Sequence, residues 1–467
     1  MRSRGDDTTW AVHAFAEAER GDLRRTTRLI ALAVVLAQHP RASRPEARGH
    51  SAMLTAAYRF LANEASEPHD IIHSHIEATY GRLDAVPVVW AVQDTTEVNW
   101  TSRRATTGLG PLGHTACQGR LVPSTLAIPP ARVPLGLLAQ QVGARDANAV
   151  GTRTRRQPLP IPQKARQQWL GSLEAVYHAH AGCPQTRFGS VGDRAADLSD
   201  VRAAARPAGV ALLLRAAWKR CVSAPQHSIW ATVAAQPVVR TLGLASPRRG
   251  TPPARAARRA LRSWALTWCP PRHRKAEGWP AVPLWAGQVH ESEPPPEVEP
   301  IEWRLLTTVA VETIADALER VQWYAGRWGL EVGQRILQCG CGIAARQRAT
   351  AERLRRCLAL YSVLAWRLLY ATMLARSVPE APCSVLVAPE AWPALYCAIP
   401  RVSQPPPEPP SLAQVVPWMA QLGGLVGRRR RDHPGPAVLW RGVQPLSDLT
   451  TMYCIMRPSP SQMNKCG

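Results

Sequence analysis

Residues 88–100 read VVWAVQDTTEVNW: an apolar run from Val88 to Val92 closes at Gln93 and meets Asp94, Thr95, Thr96 and Glu97 at once. Five apolar residues in a row predict a buried strand. A buried strand stops on a carboxylate for one of two reasons. Either the aspartate opens a turn, or the strand holds Asp94 at the rim of the sheet as a ligand for a hard cation. TRFGSVGD (186–193) repeats the form, ending on Asp193, with Arg194 next and Asp197 four residues on. The third element is a predicted helix, ALERVQWYAGRWGLEVGQRILQ (317–338). Tyr324, Arg327, Glu331, Arg335 and Gln338 recur there at intervals of three or four and share a polar face, with Trp328 beside them. Val321, Leu330 and Leu337 lie opposite, so the helix packs with its polar edge at a cleft.

Two strand-end aspartates and a helical glutamate, all on rigid elements, make the ligand set required for phosphoryl transfer with two divalent ions, Mg²⁺ or Mn²⁺. The competing reading is a structural set of strand-end acids.

The charge balance, 57 basic against 34 acidic residues and a net +23, points to a polyanion, with nucleic acid the commonest such partner. Nearly all of the basic residues are arginine, whose fork suits phosphate oxygens. A GC-rich coding sequence would raise Arg, Ala, Pro and Gly together and accounts for the same excess. The eleven cysteines form no CxxC pairs and have no paired histidines at zinc spacing. Free thiols in a reducing cytoplasm are expected. MRSRGDDTTWAVHAF lacks the apolar core of a signal peptide, and the apolar CLALYSVLAWRLLYATMLA (357–375) is broken by Arg367, as in a core helix. No membrane partner is expected.

Along the chain, residues 8–80 read as helices. One of them begins with Arg24, Arg25 and Arg28, either a DNA-contacting turn or a solvated basic face. His73 and His75 lie two apart on a helix and point away from each other, which suits core or surface positions better than joint metal ligation. Strands are expected from about 86. Between 209 and 310, strand-like runs such as VALLLRAA, IWATVAAQPVV and EWRLLTTVAV alternate with a basic, proline-rich patch, PRRGTPPARAARRALRSW. Residues 301–378 contain no proline and read as helical. LAQVVPWMAQLGGLVG (412–427) is the last helix expected, and Arg428 to Arg431 follow as a DNA contact or a solvated loop.

AVQDTTEVNW, VGDRAADLSD and WYAGRWGLEVGQRIL together resemble the DDE transposases of bacterial insertion sequences, specifically the IS-four family. The resemblance extends to ERGDLRRTTRLIALAVVLAQHP and AAYRFLAN near the start, TTGLGPLGHTACQG after Asp94, and MAQLGGLVGRRRRDHPGPAVLWRG near the end. It implies an α/β fold: an RNase H-like catalytic core, a mixed five-stranded sheet flanked by helices, interrupted by a mostly β insertion. The implied divisions are a DNA-end-binding helical domain at 1–70, the first part of the core at 71–205 and the insertion at 206–305. The helical last part of the core follows at 306–378 and a dimerisation region at 379–467.

The implied activity is metal-dependent cleavage at transposon ends, hairpin formation and strand transfer into target DNA by a homodimer on the bacterial nucleoid. Asp94, Asp193 and Glu331 correspond to the family's metal ligands, Tyr324 and Arg327 to its phosphate contacts. Trp303 and Trp328 lie where the family stacks a base flipped from the hairpin. Arg335, one turn before Gln338, is a further phosphate contact to expect. Three features depart from the family pattern: Gln338 stands for a lysine, Ala195 for a glutamate, and Gly333-Gln334 for bulkier residues. They leave open a catalytically impaired copy that acts as a DNA-binding inhibitor of transposition.

Overall fold

The computed structural model describes residues 9–15, 23–38, 51–112, 116–144, 167–217, 229–246, 255–270, 272–425 and 434–456. The Arg428–Arg431 run lies outside them.

Helices α1 (Thr9–Phe15), α2 (Leu23–Gln38), α3 (Ser51–Ala62) and α4 (Pro68–Leu83) come first. Strands β1 (Val88–Asn99), β2 (Gly110–Pro111), β3 (Gln118–Ile128) and β4 (Gly136–Gln140) follow. Next are α5 (Gln167–Gly182), β5 (Arg187–Gly192), α6 (Ser199–Ala203), β6 (Val210–Arg215), α7 (Ile229–Ala234), β7 (Arg240–Ser246), β8 (Arg255–Trp268), α8 (Arg272–Ala276), β9 (Val282–Glu291) and β10 (Glu302–Thr307). The chain continues as α9 (Ile314–Gly326), α10 (Trp328–Arg335), α11 (Ala351–Ser377), α12 (Ala391–Ala398), α13 (Leu412–Leu422) and α14 (Pro436–Met456).

All the strands join one mixed sheet in the order β2-β3-β1-β5-β6-β10-β9-β8-β7, with β4 also on β3. β1, β5 and β6 are parallel, and the other pairings are antiparallel. Strand β1 shows why its sequence does not alternate. Val89 and Ala91 pack with Val176 and Ala179 of α5, while Trp90 and Val92 join the core of α9, α10 and α11 on the other face. Both faces are dry, so every residue from Val89 to Val92 is apolar. Gln93 is buried too, its amide donating to Ser190 Oγ at 2.7 Å.

Three sequence expectations need correction. Strand β1 does not stop before Asp94 but runs on to Asn99, because β3 keeps pairing with it through Asn99↔Gly119. IWATVAAQPVV supplies helix α7, not a strand. Ile229, Trp230 and Val233 seat it in a small core with Leu266, Trp268 and Leu284 of β8 and β9. The second half of the basic patch is β8, with Arg259 only 2% exposed and stacked over Trp303 at 5.5 Å.

The terminal helices pack on α11. The buried Arg356 of α11 donates to the carbonyls of Ser66 (2.7 Å) and Leu61 (3.4 Å) and so ties down the end of α3. α11 is long and apolar enough to cross a membrane by length and composition, but most of its apolar window is buried in the fold.

On α4, His75 is fully buried against Trp366, ring centroids 4.6 Å apart, and its Nε2 accepts the backbone N–H of Leu137 at 3.1 Å. It is a core residue. Burial, helped by the charge of Arg82, pushes its pKa down from 6.5 to about 3. Below pH 6.5 the unfolded chain takes up a proton that the folded chain refuses, so stability falls as pH drops from 6.5 toward 3. The loss from this residue approaches about 4–5 kcal/mol at the acid end. His75→Gln keeps an acceptor for Leu137 without a titrating ring, and its melting temperature is expected to depend less on pH between 6.5 and 4. Equal slopes for the two proteins would exclude His75 as the source.

Candidate active site

Asp94 sits where β1 loses its parallel neighbour. The register Val92↔Val191 is the last parallel pair, and two residues further on Asp94 and Asp193 emerge side by side from β1 and β5. Asp193 caps a 3₁₀ turn at Arg194–Ala196, its Oδ1 accepting the N–H of Ala195 at 2.8 Å. That bond needs only the backbone of Ala195, whose own side chain faces solvent. The absent glutamate therefore leaves the turn intact.

The turn is anchored by Asp197, wholly buried and ion-paired with the buried Arg202. Asp197 Oδ2 also accepts the N–H of Ala217 at 2.8 Å, and the Arg202 guanidinium lies 4.8 Å from the Trp268 ring. Asp197 is thus a strut between the Asp193 turn and the outer half of the sheet. Removing one member of a buried pair leaves an uncompensated charge. Asp197→Ala is expected to destabilise the protein by about 3–5 kcal/mol. The double change Asp197→Leu, Arg202→Met should recover most of it in a denaturant titration; no recovery would mean that the pair acts through something other than charge compensation.

Glu331 comes from α10. The single helix expected over 317–338 is instead interrupted at Arg327, which caps the end of α9 and the start of α10, and passes into a π turn at Ile336–Gly340. The break lies over the sheet because two indoles interlock with two glycines. A methyl group on Gly326 would meet Trp90 Cζ3 at 2.5 Å, and one on Gly189 would meet Trp323 Cζ3 at 2.9 Å. Only glycine lets α9 descend this far, and the two rings pack at 6.0 Å between centroids.

Arg327 occupies the middle of the site. Its guanidinium pairs with Asp94 Oδ2 at 3.2 Å and with Glu331 Oε1 in a closer contact, and it is only 12% exposed. Burial pushes the Asp94 carboxyl up to about 6; Arg327 opposes this, while Asp193 and Glu331 add to it as like charges. Burial works against the charge on Arg327, but Tyr324, Asp94, Glu331 and Asp193 outweigh it and raise its pKa. Among the described residues no three His, Cys, Asp or Glu side chains are gathered closely enough to hold one ion. The donors nevertheless suit a hard divalent cation. A positive charge, that of Arg327, already lies between Asp94 and Glu331.

The other expected residues are spread around this centre. Tyr324 is buried edge-on to Trp303, ring centroids 5.2 Å apart, with Arg259 on that indole. Trp328 is 42% exposed and Arg335 is exposed. Gln338 is engaged elsewhere: its amide donates to Thr96 Oγ1 at 2.6 Å and the Glu97 carbonyl at 3.2 Å, joining the π turn to β1. Arg24, Arg25 and Arg28 are exposed on α2, opposite the buried Leu29 and Leu32, and Arg25 donates to the Ala65 carbonyl at 3.2 Å. Sequence reading missed the Asp197–Arg202 strut and the Gln338–Thr96 tie. Their one signal was polar residues in otherwise apolar surroundings.

Residues 7–66 match a family model described as transposase DNA-binding, and residues 363–454 match one described as the transposase Tn5 dimerisation domain. The first spans α1 to α3 and the second runs from within α11 into α14. Together they support a Tn5-like transposase that binds DNA and dimerises.

Proposed function

We propose that this chain is the transposase of a bacterial insertion sequence, cutting DNA at the ends of its element, closing hairpins and transferring the freed ends to target DNA. The observation that carries this reading is that Arg327 pairs with both Asp94 and Glu331 while Asp193 lies within electrostatic reach of the same group, in a chain whose ends match transposase DNA-binding and dimerisation segments. The run β4-β3-β1-β5-β6, three antiparallel strands and then two parallel to β1, supports an RNase H-like core. Strands β7 to β9 with α7 and α8 then correspond to the β-rich insertion.

In this reading Asp94, Asp193 and Glu331 hold two Mg²⁺ or Mn²⁺ ions. Such ions, when bound, activate the attacking oxygen and stabilise the leaving one during in-line displacement at phosphorus. The chain's own residues do the positioning. Arg327 and Arg335 bind backbone phosphates, and the arginine fork suits that task. Trp328 offers an exposed face to an unstacked base, while Tyr324 and Arg259 hold Trp303 between them. Arg24, Arg25 and Arg28 contact the terminal repeats, and the homodimer joins two ends in a synaptic complex.

The test is incubation of the full chain with a labelled duplex carrying its element's own end, in Mg²⁺ and in Mn²⁺. Nicked and hairpin products are expected. Binding without either product would overturn the catalytic reading and support an impaired copy acting as an inhibitor.

A further inference from the structure

We propose that Arg327 makes the carboxylate centre conditional on DNA: in the free protein its guanidinium stands in for a divalent cation between Asp94 and Glu331, and a DNA phosphate draws it away. This rests on the metal-dependent reading above and adds its regulation.

The geometry supplies both halves of the exchange. A divalent ion of the Mg²⁺ class needs carboxylate oxygens at roughly 2.0–2.1 Å. A guanidinium touching one oxygen of Asp94 and one of Glu331 occupies that space and satisfies the same lone pairs. Removing it alone would leave two acids facing each other with Asp193 nearby, so arginine departure and cation arrival are one exchange. Arg327 lies at the break between α9 and α10, and its side chain keeps 12% of its surface in solvent. Its guanidinium also lies 5.9 Å from the Tyr324 ring.

A phosphate is a competitive partner because it takes the same fork in bidentate geometry. Exposed Trp328 and Arg335 flank the position on α10, on the surface where a DNA strand would lie. Gln338 does not compete for the carboxylates, since its amide is bonded to Thr96 and Glu97. DNA end and metal then raise each other's affinity by the same factor, as linkage requires. A protein so built does not load its metal, and so does not cut, until an end is bound.

The experiment is Mn²⁺ binding by the DNA-free full-length chain, read from the electron paramagnetic resonance of free Mn²⁺. Wild type, Arg327→Gln, Asp94→Asn and the double variant are compared. Arg327→Gln is expected to bind Mn²⁺ at least tenfold more tightly than wild type, and adding Asp94→Asn should remove the gain. Equal, Asp94-dependent binding by wild type and Arg327→Gln would overturn the exchange while leaving the metal centre standing. Absence of any Asp94-dependent site in both would overturn the exchange as well, and the cleavage assay would then decide the metal reading separately. Should Arg327→Gln fail to fold by near-ultraviolet circular dichroism, Arg327→Lys takes its place. A single ammonium cannot bridge both acids as the fork does, and at least threefold tighter Mn²⁺ binding is expected; an affinity equal to wild type would overturn the exchange.

Discussion

Asp94→Ala is expected to lose strand cleavage by about a thousandfold or more, equivalent to about 4 kcal/mol of barrier, while end binding persists. The reason is positional. Asp94 lies at the point where β1 and β5 part, stands beside Asp193 and shares Arg327 with Glu331. No other carboxylate on β1 can replace it, because Glu97 lies three residues further along and its carbonyl is tied to Gln338. Glu331→Ala should fall to the same level. DNA binding belongs to the segment matched at 7–66 and should change little in a gel shift. A mutant that bound ends and still cut within tenfold of wild type would remove Asp94 from the mechanism.

Gly442→Ala is expected to destabilise the C-terminal helices by about 3 kcal/mol or more. Helices α13 and α14 cross with their backbones in direct contact. A methyl group on Gly442 would fall on the Met419 carbonyl oxygen, and one on Gly423 would fall on the Val438 carbonyl oxygen. Both obstacles are main chain and cannot rotate aside as a side chain would. The same pair lies inside the segment matched to the dimerisation domain, so the dimer should weaken with the fold. Thermal melting and sedimentation would both report it. Unchanged values for Gly442→Ala would show that the helices do not cross in this way.

Much of the fold was legible where local pattern and tertiary environment agree. The apolar run of β1, the repeat of its form in β5 and the apolar stripe of α9 and α10 all predict buried elements, and all are buried. Asp94 and Asp193 follow two such runs and Glu331 interrupts the stripe of α10, which is what made them candidates. What escaped depends on partners distant in sequence. The continuation of β1 past Asp94 is set by β3. Strand β8 is rich in arginine and alanine and is a strand only because β7 and β9 pair with it on both sides. Helix α14 carries Pro445 in its interior, which conceals a helix from pattern reading. The close approach of α9 to β1 rests on Gly326 meeting Trp90, a contact no window of local sequence contains. Nor does the spacing of Arg327 and Glu331 on one face reveal that the arginine also reaches Asp94.

The central claim is that Asp94, Asp193 and Glu331 form one metal centre once DNA is bound. Anomalous scattering from Mn²⁺ in crystals of the chain with its element end tests it most directly. Mn²⁺ ligated by all three carboxylates is expected, with Arg327 turned onto a phosphate. Bound DNA with Arg327 still bridging Asp94 and Glu331, and Mn²⁺ elsewhere, would contradict it.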